Sequence, residues 1–182
     1  MKRVYIFVFI SCSLWSRLGV AQDAVQQPAT KLDKFTSKSG VIIKFEDYNL
    51  PSLAQQYGLP AETKIRKVYS GDDIKLFYQV SNKTEYGSKI AAIASEDFVE
   101  LSKALGTLQG QLVIDLQSKA DYLENKYATE DGLHLGYLIQ KGKPMWYMRL
   151  EKYGNGGTVF LKSSETIEES FKSASAKLNE LR

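Results

Sequence analysis

From Leu133 to Leu150 the chain alternates apolar and polar residues on both sides of a turn, and such a period makes strands with one dry face. If Lys141-Gly142-Lys143-Pro144 form a four-residue loop, Leu135, Tyr137 and Ile139 stand opposite Leu150, Met148 and Trp146 on a wholly apolar face. Carried over the next turn, the pattern sets Leu150 against Leu161 and Lys152 against Val159. The reverse face holds His134, Gly136, Leu138, Gln140, Tyr147, Arg149 and Glu151, a mixed set suited to water. A half-dry sheet must be covered on its apolar side.

Two segments have the period to cover it. Phe98, Leu101, Leu105, Leu108 and Leu112 recur at three and four residues, and so do Ile167, Phe171, Ala174, Leu178 and Leu181. Asp97 with Glu100, and Thr166 with Glu169, have the spacing of capping boxes. Further strands are expected at Val41 to Phe45, Lys64 to Ser70, Ile74 to Val80 (Ile74, Leu76, Tyr78 and Val80 on one face) and Lys89 to Ala94. Leu50 to Tyr57 reads as a short helix capped by Asn49 with Pro51 in its first turn. The fold class is therefore α+β, one or two antiparallel sheets packed against two amphipathic helices.

KVYSGDDIKLFYQV (Lys67 to Val80) aligns without a gap on KYATEDGLHLGYLI (Lys126 to Ile139), 59 residues on. Each hairpin is followed by a strand and by a helix opened with Ser-Glu, at Ser95-Glu96 and Ser164-Glu165. This suggests a duplicated βββ(β)α unit whose second copy has gained about ten residues, although any two half-buried hairpins select similar residues.

The N-terminus sets the expected address. Lys2 and Arg3 precede an apolar run from Val4 to Trp15, and a polar stretch closes on Gly19-Val20-Ala21, the order of a secretory signal peptide cut between Ala21 and Gln22. The run is shorter than the roughly 20 residues of a spanning helix, and no transmembrane span is expected in the mature protein. Phe9-Ile10-Ser11-Cys12 loosely resembles a bacterial lipoprotein box, so a lipid anchor at Cys12 is the alternative. Residues 1–21 are read as the signal, 22–38 as a flexible tether containing Pro28, and 39–182 as one α+β domain. The expected location is the periplasm or the exterior.

Composition narrows the chemistry. Of the 24 basic residues, Lys2, Arg3 and Arg17 lie in the signal, which leaves 21 against 21 acidic. A balanced chain lacks the basic face that phosphates require, so no nucleic-acid partner is expected. Cys12 is the only cysteine and His134 the only histidine, so no metal site and no cofactor are expected. Gly154-Asn155-Gly156-Gly157 lies between strands and reads as a hairpin turn rather than a phosphate loop.

Acid pairs at Glu46-Asp47, Asp72-Asp73, Glu96-Asp97, Glu130-Asp131 and Glu168-Glu169 leave one enzymatic alternative, a small exported hydrolase using paired carboxylates. Most of these acids fall at turns and helix starts, where structure alone accounts for them. The leading expectation is a non-enzymatic envelope or secreted binding module for a protein, peptide or glycan, with Tyr147, Arg149 and Tyr153 as candidate contacts.

Overall fold

The computed structural model describes residues 29–85, 87–151 and 156–182. The expected signal, its cleavage point at Ala21 and Gln22, Cys12 and Tyr153 lie outside these residues. Four strands, β1 (Ile43–Leu53), β2 (Ala61–Ser70), β3 (Asp73–Thr84) and β4 (Gly87–Ala94), form one antiparallel sheet in the order β1-β2-β3-β4. Helix α2 (Ser95–Asp115) follows it. A second antiparallel sheet, in the order β5-β6-β7-β8, is built from β5 (Tyr122–Ala128), β6 (His134–Gln140), β7 (Lys143–Arg149) and β8 (Thr158–Leu161). Helix α3 (Ser164–Leu181) follows β8, and a short helix α1 (Lys31–Thr36) precedes the first sheet. No described helix is long and apolar enough to cross a membrane.

One apolar core takes the dry faces of both sheets and the buried sides of α2 and α3. Phe98, Leu101, Leu105 and Leu108 enter it from α2, and Ile167, Phe171, Ala174 and Leu178 from α3. At its centre Tyr78, Phe98 and Phe171 meet edge to face with ring centroids 5.1 to 5.9 Å apart, joining β3 to both helices. Tyr78 is fully buried, and its hydroxyl shares a 2.8 Å hydrogen bond with Ser170 of α3. The sheets are joined edge to edge where Gln55 bridges Leu161 and the Gln56 N–H donates to the Phe160 carbonyl at 2.8 Å.

The hairpin β6–β7 keeps the expected dry face with a different register. Gln140 pairs with Lys143 across a two-residue turn, so Leu135 faces Met148 and Tyr137 faces Trp146. Lys141 and Gly142 both have positive φ, the conformation of the tight turn whose twist matches that of the strands. The strands are slipped by two residues relative to the four-residue loop, and β7–β8 by four, with Trp146 on Leu161. Even slips leave every side chain on its own face, which is why the apolar set survives.

Several local expectations are corrected. Leu50 to Leu53 continue β1 instead of opening a helix. Pro51 is tolerated because β1 is an edge strand and the register shifts there, a bulge at which Thr63 donates to the Pro51 carbonyl at 2.8 Å. Ile74 is half exposed because the core face of β3 is covered only from Leu76 onward. Neither long helix uses its expected capping box. Both start earlier, at Ser95 and Ser164, and Asp97 turns to Lys31 instead, at 2.6 Å.

Residues 30–37, expected within the tether, are ordered. Thr30 and Asp33 form a reciprocal capping box, and Phe35 is buried against Val68, Phe77 and Ala94 on the outer face of the first sheet. The matched hairpins are β2–β3 and β5–β6, which hold different places in their sheets. The hairpins with equivalent pairing are β2–β3 and β6–β7: Ile65 faces Tyr78 and Leu135 faces Met148, each partner displaced by 70 positions.

Glycine substitutions test this packing with opposite signs. A Cβ on Gly136 would sit 2.4 Å from the Asn125 carbonyl oxygen, on rigid backbone, so Gly136→Ala should cost about 2 kcal/mol or more in urea unfolding. Gly106 and Gly110 in α2 have open space where a Cβ would go, and each change to alanine should stabilise by about 1 kcal/mol. Acid tests the first sheet. Arg66 and Lys64 each bond Asp47 at 2.7 Å and hold its carboxyl at about 2. That stabilisation is complete above pH 4 and fades as pH falls toward 2, so Asp47→Asn should flatten this stretch of the stability profile.

Candidate binding surface

The outer face of the second sheet is read from the pairing. One row across it runs Lys126, Gly136, Tyr147 and Phe160, the next Ala128, His134, Arg149 and Thr158, and a third Glu124, Leu138 and Met145. The covering helices lie against the opposite, core face, to which Leu135, Tyr137, Trp146, Met148, Val159 and Leu161 contribute. No described helix packs on the outer side.

Tyr147 is not the exposed contact expected of it: it retains only 2% of its surface. Its partner across the hairpin is Gly136, which has no side chain, so the phenol can lie across β6 and reach β5, where its hydroxyl donates to Glu124. Tyr122 and Lys126 also donate to Glu124, each at 3.3 Å. These donors, the Tyr147 hydroxyl first, hold the Glu124 carboxyl below its usual range. Desolvation, reinforced by the Glu124 carboxylate, pushes the Tyr147 phenol well above its own.

Arg149 is half-buried, with its guanidinium carbon 5.9 Å from the Tyr147 ring centre. Among the described residues it forms no ion pair, and neither do the exposed Lys143 of β7 or Lys162 just past β8. Leu138, Met145 and Phe160 are half-buried, and Tyr57 meets the Phe160 ring edge-on at 6.4 Å. The face is thus an apolar centre of Leu138, Met145, Tyr147 and Phe160 within a cationic rim. Reasoning from alternation placed Leu138, Tyr147 and Arg149 on this face but missed Glu124, Met145 and Phe160 as their companions. The signal that the ring lies down, Gly136 directly across from Tyr147, needed the two-residue turn, because the four-residue loop sets Gly136 against Arg149.

The acid pairs serve elsewhere. Asp97, Glu130 and Asp131 converge on Lys31: Asp97 at 2.6 Å and Glu130 at 3.8 Å on its ammonium, and Asp131 accepting from its backbone N–H at 3.1 Å. Burial raises the Asp131 carboxyl above its usual range. Asp131 and Glu151 line a common pocket of about 100 Å³, well under the several hundred Å³ of ordinary ligand sites. Both carboxylates are engaged there, Glu151 by Lys89 at 3.0 Å. Among the described residues no group of three His, Asp or Glu side chains could hold a metal ion.

Alkali tests the Tyr147–Glu124 contact. A phenol raised above its unfolded value of about 10 contributes stability that is complete below pH 10 and lost as pH rises further. Tyr147→Phe should therefore show a shallower stability loss above pH 10 than the wild type, followed by denaturant midpoints; an unchanged slope would deny the bond.

No family model matches the chain, no curated protein matches it, and no solved structure matches it.

Proposed function

We propose that this chain is an exported, non-catalytic binding module that engages its partner through the outer face of the second sheet. The observation that carries the reading is Arg149, which forms no ion pair among the described residues, on a sheet face that no described helix covers, with its guanidinium over the ring of a tyrosine whose own hydroxyl is held by Glu124. An arginine held this way loses little freedom on binding, which favours recognition. The half-buried Leu138, Met145 and Phe160 beside it offer apolar surface to desolvate. The charged, apolar and small-residue order of residues 1–21 supports export, with a partner in the envelope or outside the cell.

Site-specific photo-crosslinking in the producing cell tests the face. A photoreactive residue in place of Met145 should give a discrete adduct that the same group in place of Lys172, on exposed α3, does not. Equal yields from both positions, or none from either, would refute the assignment. Export is tested by sequencing the mature N-terminus: Gln22 is expected, a lipidated Cys12 would convert the address to a membrane anchor, and an intact Met1 would refute export.

A further inference from the structure

The equivalence of the two central hairpins turns one half of the molecule into a guide to the other. Displaced by 70 positions, Val68 corresponds to Leu138, Lys75 to Met145 and Phe77 to Tyr147, with the same cross-strand pairing in both sheets. In the first sheet this place is occupied. Helix α1 lies on it, Phe35 sits 6.4 Å from Phe77 with the rings tilted, and Val68, Phe77 and Ala94 are closed off from water. In the second sheet no described element fills the place, and Leu138, Met145 and Phe160 remain half-buried.

Charge says what the open place would accept. The docked segment, TKLDKFTSK from Thr30 to Lys38, is basic, and its surroundings are acidic: Lys31 pairs with Asp97 and Glu130, and Lys38 with Asp73. Around the open place the signs are exchanged. Among the described residues Arg149, Lys143 and Lys162 form no ion pair, Lys126 is exposed, and Glu124 is already satisfied by Tyr147, Tyr122 and Lys126. A second basic segment would meet like charge there.

Resting on the binding reading above, we infer that the outer face of the second sheet receives a short partner segment carrying an apolar anchor flanked by carboxylates. The anchor lies on Leu138, Met145 and Phe160, where it completes the burial that Phe35 gives its counterparts. The carboxylates meet Arg149 at one end of β7 and Lys143 at the other, with Lys162 between them on the neighbouring strand. Arginine stacked on a ring presents its N–H donors to a carboxylate in fixed orientation. Lys143 and Lys162 add long-range attraction that salt weakens.

The test uses the ¹⁵N-labelled full chain and two nine-residue peptides followed by amide shifts. One is the unaltered TKLDKFTSK; the other, TELDEFTSE, carries glutamate for each of its three lysines. TELDEFTSE should shift Leu138, Met145, Tyr147, Arg149 and Phe160 and bind at least about fivefold more tightly than the basic peptide. Serine in place of its phenylalanine should abolish the shifts. Lys143→Glu/Arg149→Glu should weaken TELDEFTSE about tenfold and reverse the preference; Lys162→Glu, a single exposed change, should weaken it less and guards against misfolding of the double variant. Equal binding of the two peptides, preference for the basic one, or shifts confined to another surface would overturn the inference and leave the binding face standing. No shifts from either peptide, with a discrete Met145 crosslink in cells, would overturn the inference alone. No shifts and no crosslink would overturn both.

Discussion

Two four-stranded sheets, each with a single dry face, cannot be stable apart, and the edge-to-face cluster of Tyr78, Phe98 and Phe171 is where this chain meets that constraint. Tyr78 belongs to the first sheet, Phe98 to the helix that leaves it, and Phe171 to the helix that leaves the second sheet. The hydroxyl of Tyr78 would be costly at full burial, and Ser170 gives it a partner. Because α3 packs on β1 and β2 as well as β8, the last helix to be made also covers the first strands. The core is therefore shared, and each sheet turns its other face outward, the first of them packed by α1.

The two faces of the second sheet were not equally legible in the sequence. The dry face of β6 and β7 was legible because alternation has a period of two, and slips of two or four residues cannot move Leu135, Trp146 or Met148 to the other side. Register itself was not legible, since it turned on whether Lys141 would take a positive φ, which an ordinary lysine disfavours. Pro51 misled for a related reason. Its fixed φ suits a first helical turn and an edge-strand bulge alike, and only the neighbouring strand decides between them. The capping boxes at Asp97 and Thr166 were spacings without context. The one that formed, Thr30-Lys31-Leu32-Asp33, has the same spacing but sits in a segment whose overall polarity suggested no structure.

The candidate surface was half legible. Tyr147 and Arg149 fell on the correct face by parity, but whether a sheet-face tyrosine stands in water or lies down depends on its cross-strand neighbour. Gly136 opposite Tyr147 leaves a gap that the ring fills, and Glu124 two strands away supplies an acceptor at its far end. The same tight approach of β5 that forbids a side chain at Gly136 brings Glu124 within reach. A contact site imagined as tyrosine and arginine side by side is instead a layer: glycine below, tyrosine across it, and arginine on top.

That layering bears on how the surface would choose a partner. A part-buried bond from Tyr147 to Glu124 holds the ring beneath the Arg149 guanidinium, and on the proposed reading part of the cost of ordering that guanidinium would be met during folding rather than binding. Lys143 and Lys162 are exposed, which suits attraction at a distance more than selection at contact. On the proposed reading, discrimination would rest on the centre of the face, where a carboxylate would meet Arg149 while an apolar group covered Leu138 and Phe160. A ligand with charge alone would leave that apolar surface wet, and a ligand with apolar surface alone would strip water from Arg149 without replacing its hydrogen bonds. On that reading a segment presenting both together would satisfy the face, as its charge-reversed counterpart α1 does on the first sheet.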